Sequence, residues 1–220
     1  MIRGPTKTAG IPADQENDDM GLIARNKGGG DFKPAPSGSH PARCCWMIDL
    51  GVQPSELYGA KHQVLIGWEL PTELIEEGER AGEPYFISNF YTMSLHAKAN
   101  LRLHLEAWRG REFTEAELEG FDLRNILDKP CMLTVGHKKK DNGDIRAKVI
   151  GVSSLPKGLE CPPRVNPLRE YDGEDPDQEA YEALPEWLQE IISKGKHPNE
   201  HKAEQLDPAP AEDPEPECPF

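Results

Sequence analysis

Apolar and polar residues alternate with a period of two in several short stretches of the chain, each closed by glycine or proline, as in half-buried β-strands. From residue 41, Ala42, Cys44, Trp46, Ile48 and Leu50 alternate with Arg43, Cys45, Met47 and Asp49 until Gly51. After Gly59, His62, Val64, Ile66 and Trp68 share one face and Lys61, Gln63, Leu65 and Glu69 the other, with Pro71 as the expected stop. Residues 84–92 are β-prone throughout. Phe86 and Phe90 fall on one face of that run and Tyr85 and Tyr91 on the other, and the pattern does not say which pair is core. Cys131, Leu133 and Val135 mark a fourth strand, and Ile145, Ala147 and Val149 the inner face of a fifth. Asp141-Asn142-Gly143 between them is turn chemistry, with Asn-Gly favouring a tight hairpin.

Between the third and fourth strands the period changes to that of a helix. Ala97, Leu101, Leu105 and Trp108 form one stripe, with Ser94 as expected N-cap and Gly110 as the end. Thr114 and Glu117 are then spaced as a capping box, Phe113 and Leu118 as a hydrophobic staple, and residues 122–127 add a further turn. Three strands, a helical insertion and a hairpin predict a mainly β fold. The order is that of a five-stranded OB-like Greek-key barrel with helices between strands 3 and 4; a β-sandwich would want about seven strands. Trp46 and Trp108 are assigned to its core, and Trp68 is left open.

The pattern predicts a division into a flexible lead (1–30), an OB-like domain (31–166), a linker (167–203) and a disordered acidic tail (204–220). Within the linker, Leu184, Trp187, Leu188, Ile191 and Ile192 make a short amphipathic helix between Pro185 and Gly195, expected to dock on its own barrel or on a partner protein. The net charge of −14 changes meaning once it is divided along the chain. Residues 170–220 hold 16 acidic and 3 basic groups, so the middle of the chain is nearly balanced and free to carry a local basic face.

That face is expected at the hairpin. Lys138, Lys139 and Lys140 stand at its tip, and Arg146 and Lys148 share the outward face of its second strand, while Lys61 opens the second strand of the barrel. Cations there would neutralise the phosphates of a threading single strand; the alternative is a lysine-rich tip that only solubilises the protein. Stacking of bases needs exposed rings, for which Phe86, Phe90 and Tyr91 are the candidates. Walker A, GxGxxG, GxSxG and HExxH motifs are missing, so no catalysis is expected. His197 and His201 flank Pro198 in polar surroundings, His96 and His104 lack metal-ligand spacing, and the five cysteines include no CxxC pair. No metal, cofactor or disulfide framework is expected. No run approaches the length of a membrane span, and a reducing cytoplasm fits.

Residues 31–164 resemble a family of tailed-phage single-stranded-DNA-binding or replication-associated proteins. The resemblance is clearest in Tyr91-Thr92-Met93-Ser94-Leu95-His96, in Trp108-Arg109-Gly110-Arg111-Glu112-Phe113 and in the lysine-rich hairpin. The acidic ending closed by Pro219-Phe220 is similar to the partner-binding tips of single-strand binding proteins, with Cys218 departing from the usual acids. The resemblance implies sequence-tolerant binding of single-stranded DNA in phage replication or recombination, inside the bacterial host cell. Replication or recombination proteins would be recruited through Pro219 and Phe220. The alternative is an OB-like protein-interaction module that does not touch DNA.

Overall fold

The computed structural model describes residues 33–54, 59–140 and 142–196. The expectations for the lead, for His197 and His201, and for the tail with Cys218, Pro219 and Phe220 lie outside the described residues.

The spine of the fold is β1 (Gly38–Gln53), long enough to serve two neighbours. Its first part pairs antiparallel with β4 (Pro130–Lys139) and its second with β2 (Lys61–Leu74). β2 pairs with β3 (Pro84–Thr92) and β4 with β5 (Ile145–Ser153), giving the order β3-β2-β1-β4-β5. A short β6 (Arg169–Tyr171) adds to β1 in parallel, opposite Trp46, Met47 and Ile48. β3 and β5, at the two ends of the ladder, lie in contact. No hydrogen-bonded pairing joins them, so this mainly β, antiparallel sheet is not closed into a barrel.

Among the register shifts of the sheet, two redirect side chains expected in the core. Cys44 stands opposite Trp68 and Trp46 opposite Gly67, which leaves Cys45 as an extra residue in β1. One extra residue reverses a period of two. Ala42, Cys44 and Met47 therefore enter the main core, while Trp46, Ile48 and Leu50 turn to the opposite, outer face. The single apolar face expected across β1 is thus corrected after Cys44, and Trp46 is half-buried outside the main core. In the second bulge Thr134 pairs with Gly151 but Val135 with Val149, so Ile150 is the extra residue. Val149 and Val152 face the core, and Ile145, expected inside, is 55% exposed. β2 also runs through Pro71 to Leu74.

The helical insertion starts later than expected. Ser94 Oγ accepts from the His96 N–H inside a turn, Ala97 is exposed, and α1 spans Asn100–Arg109 after an uncapped Ala99. Leu101, Leu105 and Trp108 enter the core as expected, and Gly110 closes the helix at φ 68°. The Thr114–Glu117 capping box starts α2 (Glu115–Glu119), and a 3₁₀ turn follows at Leu123–Ile126. α1 packs against both β3 and β5, and Trp108 Nε1 donates to Pro130 O at 2.8 Å. Trp68 is 1% exposed, with Trp108 and Tyr91 as ring neighbours at 6.2 and 6.4 Å.

The described part of the stretch read as a linker, residues 167–196, is built into the fold, its helix docked on its own sheet. β6, α3 (Gln178–Glu182) and α4 (Glu186–Lys194) cover the outer face of β1 and β2, where Leu184, Leu188 and Ile192 pack on Ile48, Leu50 and Leu65. Each such side chain contributes about 1.5–3 kcal/mol by leaving water. The approach to β6 is pinned by Glu69, fully buried, whose carboxylate accepts from Val165 N at 2.7 Å, Asn166 N at 2.8 Å and Asn166 Nδ2 at 2.6 Å. Among the described residues no helix is long and apolar enough to cross a membrane.

Candidate functional site

Past Val135 and Val149, the last core pair of the hairpin, β4 and β5 continue as a two-stranded ribbon: Gly136 faces Lys148, His137 faces Ala147, Lys138 faces Arg146 and Lys139 faces Ile145. Side chains alternate across a ladder, so Lys138, Arg146 and Lys148 share the face turned away from the core, and Lys139 takes the other. Lys140 opens the turn, its N–H donating to Asp144 O at 2.8 Å while Gly143, at φ 92°, donates back to Lys140 O. The connection is thus one residue longer than a two-residue Asn-Gly turn, with Asn142 Oδ1 accepting from the Asp144 N–H.

All five cations are exposed, and none forms an ion pair among the described residues. Other basic groups behave differently: Arg102 holds Glu106 at 2.8 Å, Arg111 holds Glu117 at 2.7 Å and Arg124 holds Asp122 at 2.9 Å. Arg102, Arg111 and Arg124 of the helical insertion are thus paired with acids, whereas the five hairpin cations are not, among the described residues.

β3 lies against β5 and shares its core. Tyr85, Ile87 and Tyr91 point into the same cluster as Val149 and Val152, so the alternate residues of both strands face outward together. On β3 these are Phe86, Ser88 and Phe90. Phe86 is half-buried and leans on Trp46, with ring centroids 4.5 Å apart and planes at 49°. Gly67 makes room for that pair, since a Cβ there would collide with both side chains. The Arg169 guanidinium lies 5.2 Å from the Trp46 ring, within cation–π range. Phe90 is 39% exposed and meets Trp187 of α4, 46% exposed, edge-on at 6.5 Å and 65°.

The remaining expected residues lie elsewhere. Tyr91 is 3% exposed and its hydroxyl sits 2.8 Å from His104 Nδ1, so it offers no ring face to a ligand. Burial pushes the Tyr91 hydroxyl up and the His104 imidazole down, which keeps both neutral. Lys61 stands at the start of β2 opposite Gln53, at the far end of β1 from its β4 pairing, and is not gathered with the hairpin cations. Sequence reasoning missed Trp46, Arg169 and Trp187 as outer-face groups. Gly67 was the available signal for the first, because a glycine inside a strand marks a bulge or a close approach.

A separate cavity of about 740 Å³ opens between the start of β2, the helical insertion and β6. Its floor includes Met47, Val64 and Leu101, and its rim carries Glu119, Asp122, Glu170, Asp172 and Glu174. Arg124 approaches Glu170 and Asp172 at 3.9 Å as well as Asp122. Such a rim repels phosphate.

The sequence matches no protein-family model, and no curated protein is significantly similar to it.

Proposed function

We propose that this protein binds single-stranded DNA with little sequence preference, in the replication or recombination of a tailed phage, and that it does no chemistry on the strand. The carrying observation is the face of the β4–β5 hairpin turned away from the core, where Lys138, Arg146 and Lys148 stand exposed with no ion pair among the described residues, while β5 itself lies in contact with β3, the strand that bears Phe86 and Phe90. A cationic track for phosphates next to sequence-tolerant ring faces is what a single-strand binder requires. The strand order, the contact between β3 and β5 and the helices between strands 3 and 4 support an OB-like reading, as a Greek-key barrel opened along the β3–β5 seam. Binding on the hairpin side is also favoured because α3 and α4 cover the outer face of β1 and β2. The phage assignment rests on the resemblance in residues 91–96, 108–113 and the hairpin.

Fluorescence anisotropy with labelled oligo-dT and with duplex of equal length tests the reading. Oligo-dT should bind more tightly, with affinity falling steeply as salt rises; equal affinity for both forms sinks it. Replacing Lys138, Lys139 and Lys140 together by Ala should flatten the salt dependence, by roughly 0.7 log units of slope per lost phosphate contact. A second reading, a protein-interaction module, is favoured by the acidic-rimmed cavity over an apolar floor, which suits a basic partner segment.

A further inference from the structure

The surface so far described has a basic side at the β4–β5 hairpin and a ring-bearing strand at β3. The C-terminal segment adds a third component, because α4 packs along β1 and brings Trp187 to Phe90. The helix does not need this tryptophan as an anchor. Leu188 and Ile192 are 0% and 4% exposed and hold α4 to the sheet, with Leu184 at 4% just before it, while Trp187 is 46% exposed. A large ring left out of its own helix's contact face and met only edge-on keeps ring surface available to a planar ligand.

The electrostatics decide which part of a strand this wall can take. Glu186 and Glu190 are both exposed beside Trp187 on α4, and Glu190 is engaged by Lys194 at 3.6 Å. A phosphate is disfavoured there and favoured at Lys138, Arg146 and Lys148. The geometry points to Trp187 and Phe90 as a base-stacking subsite, in which α4 receives unpaired nucleobases while the β4–β5 hairpin holds the phosphates. This rests on the proposed single-strand binding and goes beyond it: it assigns a ligand-contacting role to the C-terminal segment and an orientation to the strand.

The test compares Trp187→Ala, Trp187→Phe and Phe90→Ala in the full chain, by oligo-dT binding across a salt series and by thermal melting. Trp187→Ala should weaken binding by roughly 5- to 150-fold, the range that loss of one stacked base implies, with the melting temperature and salt slope unchanged. Trp187→Phe should recover most of the affinity. Of the four tryptophans, Trp68 and Trp108 are buried and Trp46 half-buried. Oligo-dT should therefore quench mainly Trp187, and Trp187→Phe should remove most of that quench. If the wild type binds while Trp187→Ala binds equally well, the subsite is wrong and single-strand binding stands. Absence of binding by the wild type overturns the proposed function and the subsite with it. A change in sedimentation of Trp187→Ala with unchanged DNA affinity assigns the ring pair to contact between copies of the chain and overturns the subsite. Equal losses in Trp187→Ala and Trp187→Phe with a lowered melting temperature assign Trp187 to packing and overturn it too.

Discussion

Lys138 stands directly opposite Arg146 in the β4–β5 ladder, two like charges in register with no acid paired to either among the described residues. Like charges directly opposite destabilise a two-stranded ribbon, where opposite charges or β-branched pairs would contribute about 0.2–1 kcal/mol. An arrangement that costs stability fits a surface completed by an external anion. Lys138→Thr is therefore expected to raise the denaturation midpoint, by about 0.5 kcal/mol in stability, while weakening oligo-dT binding and lowering the salt slope by about 0.7. Urea denaturation and anisotropy on the same preparation check both. A stabilised variant with unaltered DNA binding would return Lys138 to a solubilising role.

The sheet and the hairpin cations were legible because they obey simple periods. Cys131, Leu133 and Val135 alternate without interruption and are buried as expected. Lys138, Arg146 and Lys148 needed only the parity of the ladder. Bulges defeated the same reasoning, since nothing in the run 42–50 signals that Cys45 is extra, and one inserted residue moves Trp46 to the opposite face. The third strand could not be oriented from its own residues because both of its faces carry aromatics. The contacts of Tyr91 with Trp68 and His104 decide it, and those depend on residues 13 or more positions away. Trp187 was legible as part of an apolar stripe but not as its exposed margin, because a stripe of five apolar residues is wider than the contact α4 makes.

Glu69 holds the chain that leads into β6, and its replacement should expose how much of the fold depends on it. The carboxylate is 0% exposed and its two oxygens accept three N–H donors from Val165 and Asn166. Glu69→Gln puts an NH₂ group against donors and leaves at least one of them unpaired. It should cost about 2–4 kcal/mol, measured by urea denaturation. Hydrogen exchange at Val165 and Asn166 should accelerate before the main core opens, because those amides lose their acceptors directly. An unchanged midpoint would mean that the segment finds other acceptors.

His62 Nε2 lies 2.6 Å from Asp49 Oδ1, and Asp49 also accepts from the Gly51 and Gly173 amides. The hydrogen bond to Asp49 raises the imidazole's pKa; burial opposes it, and the charges of Asp49, Glu174 and Asp172 add to the rise. A histidine with a raised folded value contributes stability in full below its unfolded value near 6.5 and loses it as pH climbs through the folded value. Thermal stability of the wild type should therefore fall as pH rises above about 6.5, and His62→Gln should lack this fall. An NMR titration of the His62 ring checks the direction, and a midpoint at or below the unfolded value would contradict it.

The acids of residues 204–220 bear on the DNA reading through charge alone. That stretch contains six acidic residues and no lysine or arginine. Being part of the same chain, these acids are expected to compete for a cationic surface at a local concentration that free anions at micromolar levels do not reach. Deleting 204–220 should tighten oligo-dT binding at low salt, and the gain should shrink as added salt screens the charges. Phe220→Ala keeps every acid and should bind oligo-dT like the intact protein, while pull-down of a replication or recombination partner is expected to need the ring. The two variants thus separate competition with DNA from partner capture, by anisotropy for the first and pull-down for the second. Weaker DNA binding after truncation would make the tail part of the binding surface and reverse its role as a competitor.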